Sequence, residues 1–455
     1  MIPLRLSAIA EAVGGTLHGD DVTVAGAAYV DSRAPVPDGL FVALVGERVD
    51  GHDYADGAHA VLGSRPTGAP TVVVADPVTA LGRLARHVLD RLDVTVLAMT
   101  GSQGKTGTKD YLAAVLRSLA GDAAVVATAA NNNNELGVPL TVLRAGPATR
   151  YLVVEMGARG IGHIAYLCGI APPSIAAVLN VGSAHVGEFG GRAQIAQAKG
   201  EIVEALPAEG TAVLNADDPL VAAMAPRTRA RVLTFGETGD LRWRELRLDA
   251  LGRPALTFDH AGEQHPVRLR QTGVHQAPNA AAAAAMAVAA GFPLGDVARA
   301  LGEARAASRW RMEVTERADG LLVVNDAYNA NPDSMRAALE ALVAIGRGDG
   351  TRRRRTVAVL GEMRELGDEH AAGHRAVGAD AAALGVDVVL VVGEAASGIA
   401  EGARAGAGEV IVTAGREEAI AWLRQNAGAE DVVLVKASRG AALEVVAEAL
   451  GEETA

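Results

Sequence analysis

The sequence predicts an α/β chain of three domains with a nucleotide-binding domain in the middle. Three observations carry that expectation. A length of 455 residues exceeds one compact core and suits about three domains of roughly 150 residues each. Apolar residues make up 49% of the chain and aromatics only 3%, so the cores must be filled by Ala, Val, Leu and Ile, as where helices pack on parallel strands. Strand-like runs alternate with helical ones through most of the chain, most plainly where VTVLAMT is followed by a glycine loop and then YLAAVLRSLAG.

Taken in order, residues 1–93 mix short strand-like runs, FVALVG and TVVVA, with turns. The run ALGRLARHVLDRL, from Ala80 to Leu92, has apolar positions at three- and four-residue spacing and predicts a helix, so this is a small mixed α/β domain. Residues 94–307 carry VTVLAMT, RYLVVEM, SIAAVLNV, GTAVLNA and RVLTFG between helical or glycine-rich stretches, which predicts a mostly parallel central sheet. From Trp243 to Val267 the runs become shorter and alternate polar with apolar, as on an antiparallel edge, before an alanine-rich helix from Asn279 to Ala290. Residues 308–455 carry LLVVND, TVAVLG, VDVVLVVG, EVIVT and DVVLVKAS, a second, Rossmann-like parallel sheet.

Composition excludes several function classes. With 54 acidic against 42 basic residues the net charge is −12, which argues against nucleic acid as a general partner. Cys168 is the only cysteine, so an intramolecular disulfide and a Cys-rich metal site are both excluded, and its apolar surroundings make it a buried small hydrophobe. The N-terminal run MIPLRLSAIAEAVGG is interrupted by Arg5 and Glu11 and lacks a signal-peptide core. No stretch approaches the ~20 apolar residues of a membrane span, so a cytoplasmic location is expected.

The loop TGSQGKT, Thr100 to Thr106, bears the first chemistry. A phosphate loop needs small residues so that backbone N–H groups converge on the anion, a lysine for the outer phosphates and a hydroxyl for Mg²⁺. Gly101, Ser102, Gln103 and Gly104 supply the loop, Lys105 the cation and Thr106 the hydroxyl. The general pattern asks for a glycine where Met99 stands, and the plain alternative is a strand-to-helix turn with an exposed lysine. The buried strand before it and the amphipathic helix after it favour the phosphate loop.

At this loop the sequence comes to resemble the Mur ligases, the cell-wall peptide ligases, whose loop has this form without the earlier glycine. The resemblance continues through TAANNNNELGVPLTVL (Thr128 to Leu143), EMGARGIGHI, NVGSAHVGEFGG, IAQAKGEI, GVHQAPNAAAA, WRMEV, NDAYNANPDSM and GEMRELG, in the family's order. Upstream, DSRAPVPDGLFVALVGERVDGHDY is similar to the family's UDP-binding domain. The Asn-rich segment and NANP are similar to the branch that adds D-alanyl-D-alanine, although Ala130 stands where that branch usually has glycine.

The resemblance implies an ATP-dependent reaction in which a carboxylate is phosphorylated, attacked by an amine and released as an amide. It implies two Mg²⁺ ions held by Thr106, Thr128, Glu155, His185 and a carbamylated Lys199, with Lys105, Glu155, His185 and Lys199 at the chemistry. It assigns His275, Asn279, Arg311, Asp326 and Asn329 to the nucleotide, and Asp31, Ser32, Arg33 and Arg159 to the UDP-peptide substrate, with Ser438 and Arg439 near substrate carboxylates. As bare residues these would be assigned to turns, strand ends and surface pairs, Lys199 pairing with Glu204 or solvent. The implied substrates are UDP-MurNAc-tripeptide and D-Ala-D-Ala, the implied state a monomer. Rival expectations are a related ligase taking another amine, including a folylpolyglutamate-type enzyme, and a nucleotide-binding scaffold without chemistry. The scaffold would be expected to have lost Lys105, Glu155, His185 or Lys199, and all four are present.

Overall fold

In the computed structural model, residues 1–182, 191–348 and 353–451 are described. The chain forms an α/β fold of three domains, each with its own main sheet. The first sheet orders its strands Thr16–His18, Thr71–Val73, Ala60–Gly63, Leu40–Val42, Ala28–Tyr29, parallel except for the antiparallel edge strand Thr16–His18. The helix expected over 80–92 runs instead from Pro77 to Leu89. The Asp76 carboxylate accepts the Val78 N–H and Pro77 occupies the first helical turn, a start signal that apolar spacing alone does not reveal.

The central sheet has nine strands. Five neighbour in parallel around Thr95–Thr100: Val125–Ala127 and Tyr151–Glu155 to one side, Ile175–Val178, Thr211–Asn215 and then Arg231–Phe235 to the other. Leu241–Leu248, Pro254–His260 and Glu263–Arg268 complete it as the expected antiparallel edge. Because the chain leaves Thr95–Thr100 first to one side and later to the other, the loops after Thr100, Glu155 and Val178 meet at a topological switch point, where open α/β sheets bind ligands.

Successive residues of Thr95–Thr100 face opposite sides. Leu97 and Met99 pack with helices Lys105–Ala120 and Gln276–Ala289, whose alanines from Ala280 to Ala285 are wholly buried. Val96 and Ala98 face the other way, into a core that continues through Leu81 and Leu84 to Leu40, Leu62 and Val72 of the first sheet. The third sheet, ordered Glu313–Glu316, Leu322–Asn325, Asp431–Lys436, Arg355–Leu360, Val388–Val392, Glu409–Thr413, has separate cores on its two faces. All five expected strands are there and parallel; Glu313–Glu316 is an additional antiparallel edge. Among the described residues no helix is long and apolar enough to cross a membrane.

Candidate functional site

The phosphate loop begins where Thr95–Thr100 ends, and helix Lys105–Ala120 starts at the lysine itself. Gly104 is required twice over. Its φ is +79°, and a Cβ there would lie 2.4 Å from Asn279 Oδ1. The neighbouring strand's exit fixes the loop: the Gln103 N–H donates to Asn180 Oδ1 (3.0 Å) and Asn180 Nδ2 donates to the Gln103 carbonyl (3.1 Å). Lys105 Nζ donates to the Gly101 carbonyl at 2.7 Å. Burial lowers its pKa below the ordinary lysine value, opposed by the Glu155 charge and reinforced by Arg311.

Glu155 closes its strand beside this loop and is 2% exposed. Its carboxylate accepts the Thr106 hydroxyl (3.1 Å) and Asn133 Nδ2 (2.8 Å), and its N–H donates to Thr128 Oγ1 at 3.0 Å. Thr106 and Glu155 thus place two hard oxygens side by side next to the lysine. That suits Mg²⁺, which takes one or two protein oxygens and completes its shell with phosphates and water. Among the described residues no group of three or more His, Cys, Asp or Glu is placed to hold a metal by itself.

Lys199, on helix Arg192–Glu204, is 6% exposed and lines the same cavity. Among the described residues no acceptor reaches its ammonium, and Glu204 is taken by Arg227 at 2.8 Å. Burial, then the nearby charge of Lys105, drives its pKa well below the usual lysine value.

The far wall comes from the third sheet. Trp310 (φ +57°) and Met312 (φ +48°) are both left-handed, with Arg311 between them. For non-glycine residues that conformation costs about 1–2 kcal/mol each. The Arg311 guanidinium lies 4.2 Å from the Tyr328 ring centre, and its buried Nε has no hydrogen-bond partner among the described residues. Asp326 is tied down by the Met312 N–H (3.1 Å) and by the buried Lys436 ammonium (2.6 Å), which also donates to the Asn329 carbonyl (2.9 Å). His275 Nδ1 is a second buried atom without a hydrogen-bond partner among the described residues, and burial lowers that imidazole's pKa. Arg439 lies over the Trp310 ring at 4.2 Å.

A single cavity of about 1380 Å³ gathers most of the sequence-derived candidates: Gly101 to Thr106, Glu155, Arg159, Lys199, His275, Asn279, Arg311, Asp326, Asn329, Ser438 and Arg439. This exceeds a drug-sized pocket of about 300–1,000 Å³ and has room for more than one reactant. Thr128 does not line it; its hydroxyl is spent behind Glu155, donating to the Val153 carbonyl as well. Asp31, Ser32 and Arg33 also lie outside it, on the first sheet's surface. There the Asp31 carboxylate grips the Arg33 guanidinium at 2.8 Å, which with the Arg33 N–H holds the Asp31 pKa down to about 2. His185 lies outside the described residues. Sequence reasoning assigned no role to Asn133, Asn180 or Lys436. Asn133 lay inside the Asn-rich segment and Lys436 inside a strand read only as apolar, so the signals were partners rather than motifs.

Comparison with known proteins agrees with this geometry. The Mur ligase middle domain matches residues 99–287, and the Mur ligase glutamate ligase domain matches residues 310–439. The UDP-N-acetylmuramoyl-tripeptide–D-alanyl-D-alanine ligase of Mycobacterium tuberculosis is 45% identical, covering 99% of this chain and 98% of that protein. The chain belongs to the Mur ligase family. Crystal structure I of MurF from Acinetobacter baumannii superposes with a TM-score of 0.87 at 32% identity, covering 99% of both chains. The Thermotoga maritima MurF ligase in complex with ADP gives 0.79 at 32% identity, over 94% of this chain and 97% of that one. In this Mur ligase the two matched regions contain the two walls of the cavity, the first from Met99 through the alanine-rich helix and the second from Trp310 to Arg439.

Proposed function

We propose that this Mur ligase joins D-alanyl-D-alanine to UDP-N-acetylmuramoyl-tripeptide with ATP, giving UDP-N-acetylmuramoyl-pentapeptide, ADP and phosphate for peptidoglycan synthesis in the cytoplasm. The observation that carries the reading is the whole-length likeness, 45% identity over 99% of the chain, to ligases that bear that name. The rival amine-adding ligases share the fold at far lower identity: 19% for the 2,6-diaminopimelate ligase and 16% for the folate enzyme FolC.

Making an amide in water is uphill, so the tripeptide's terminal carboxylate must first acquire a leaving group. A carboxylate oxygen attacks the γ-phosphorus, the bond to the β-phosphate oxygen breaks, and ADP leaves. The dipeptide amine then attacks the acyl carbon, phosphate departs with the C–O electron pair, and the amine proton passes to a base. Both partners of the first step are anions, so the chain's task is to neutralise and align them. The loop from Gly101 to Gly104 binds the phosphates, Lys105 reaches the γ-phosphoryl group, and Arg311 faces it from the third sheet. Thr106 and Glu155 would hold Mg²⁺, with His185 at a second ion; bound Mg²⁺ supplies charge neutralisation between carboxylate and phosphate. His275, Asn279, Asp326 and Asn329 serve adenosine. Asp31, Ser32, Arg33 and Arg159 serve the UDP-peptide, and Ser438 and Arg439 serve carboxylates.

Lys199 is proposed as a carbamate. Among the described residues Lys199 has no acidic partner, and burial shifts it toward the free amine, the form that adds CO₂; the product is an anion suited to a metal ion where an ammonium would repel it. The division into residues 1–93, 94–307 and 308–455, and a monomeric state, belong to the same reading; the three sheets fall within those spans.

Phosphate release from ATP with UDP-MurNAc-tripeptide tests the reaction. D-Ala-D-Ala is expected to support turnover and single D-amino acids or glutamate are not. Equal turnover with glutamate would overturn the proposal. Lys199→Ala is expected to lose activity and regain part of it with added short carboxylates; normal turnover by that variant would remove the carbamate.

A further inference from the structure

Lys109 and Asp110 follow the phosphate loop by one turn of helix Lys105–Ala120 and are 4% and 6% exposed. Adjacent residues on a helix do not ordinarily face each other, yet Lys109 Nζ lies 2.8 Å from Asp110 Oδ1. Burying two charges costs desolvation that their attraction only partly returns, so stability is a weak reason for the pair. Its outward bonds supply a better one. Asp110 Oδ2 accepts the N–H of Ser308 at 3.0 Å, across 198 positions of sequence. Lys109 Nζ donates to the Thr128 carbonyl (3.1 Å) and reaches Ser308 Oγ at 3.5 Å.

Both ends of this link reach the reaction. Thr128 receives the Glu155 N–H through its hydroxyl. Ser308 lies in the irregular segment between helix Leu294–Glu303 and strand Glu313–Glu316, three residues before Arg311. The backbone on either side of Arg311 is left-handed, and among the described residues the Arg311 Nε has no hydrogen-bond partner. The Tyr328 ring supports the Arg311 guanidinium on one face and the Met312 N–H is tied to Asp326, while Ser308 is where the segment that carries Arg311 is fastened to the phosphate-loop helix.

We propose that Lys109 and Asp110 are positioning residues: they fasten Ser308 to the phosphate-loop helix and thereby set Arg311 against the phosphates bound by that loop. The inference rests on the role given to Arg311 under Proposed function.

A double-mutant cycle on the full-length enzyme, read as kcat/KM for ATP, tests it. Asp110→Ala is expected to lose about tenfold and Arg311→Ala about a hundredfold, with the double variant no worse than about a hundredfold, because Arg311 is already misplaced without Asp110. Losses that multiply to about a thousandfold would overturn the link and leave the Arg311 reading standing. An unaffected Arg311→Ala variant would overturn the Arg311 reading and the link with it. If Asp110→Ala folds poorly, Lys109→Met with Asp110→Leu removes both charges at similar volume. That variant is expected to melt no lower than the parent and still lose about tenfold, again without multiplying with Arg311→Ala. Full activity of this pair variant would overturn the proposal. So would a changed preference for ATP over GTP, which would place Asp110 against the base.

Discussion

The two walls of the cavity solve the same problem by different means. The phosphate-loop wall is built from consecutive residues: a strand end, four loop residues and the first turn of a helix, so its chemistry is backbone geometry plus Lys105 and Thr106. The third-sheet wall is assembled from distant residues. Asp326 meets Lys436 across 110 positions, and Arg311 is held between two left-handed residues. The first wall tolerates little substitution in the loop itself, whereas the second depends on partners far apart in the sequence. Backbone sites are local and concentrated; side-chain sites are dispersed.

That contrast can be broken or sharpened by experiment, beginning with the largest effect. Lys105→Ala is expected to lower kcat for phosphate release by about 10³-fold with little change in melting temperature, since it removes a charge aimed at the transferring group. On the opposite wall Lys436→Met should act mainly on stability, costing about 3 kcal/mol in urea unfolding because Asp326 is left as a buried unpaired charge. Comparable losses of kcat from both, at unchanged stability, would erase the distinction. Glu155→Gln keeps the shape of the metal-side carboxylate and removes its charge, so the Mg²⁺ concentration for half-maximal rate should rise by about tenfold.

A pH experiment probes Lys199. Its folded titration lies well below 10.5, so between the two values the unfolded chain binds a proton that the folded chain does not. Stability therefore rises with pH across that window and falls as the pH drops toward the depressed value. Burial gives Lys105 and Lys436 the same sign. In Lys199→Met the rise in melting temperature between about pH 8 and 10, measured without metal or CO₂, should be shallower than in the parent. An unchanged slope would show that Lys199 binds its proton alike in the folded and unfolded states, and would overturn the depressed titration. The smallest effect is expected at Ala130, which has φ +49°. Ala130→Gly relieves about 1 kcal/mol of strain and loses most of it again to the greater freedom of the unfolded chain, so the unfolding midpoint should barely move.

The same contrast governs what could be read before any coordinates. The strands of the central and third sheets were legible because buried parallel strands are continuous apolar runs, and TGSQGKT was legible because its chemistry is contiguous. Arg311, Asp326 and Asn279 were reachable only through likeness to a family, since nothing local marks them. Lys436 and Asp110 escaped because their partners lie 110 and 198 positions away. Thr128 was assigned to metal on resemblance, whereas its hydroxyl is spent on the backbone of Val153 and Glu155. Apolar spacing alone places helix Pro77–Leu89 about three residues late, because its Asp76–Pro77 start is a capping signal with no apolar periodicity.

The apolar core shared by the first sheet and one face of the central sheet bears on how the chain can be cut and rejoined. A fragment beginning at about residue 94 would lose helix Pro77–Leu89 from the apolar faces of helices Gly137–Val142 and His163–Ile170 that it packs against, and with those faces bare it should aggregate. A break in the irregular segment between Glu303 and Glu313 severs few apolar contacts, because the third sheet keeps both its cores. Two co-expressed pieces divided there have the better prospect of folding separately and reassembling around nucleotide, which would turn ligand binding into a split-protein reporter.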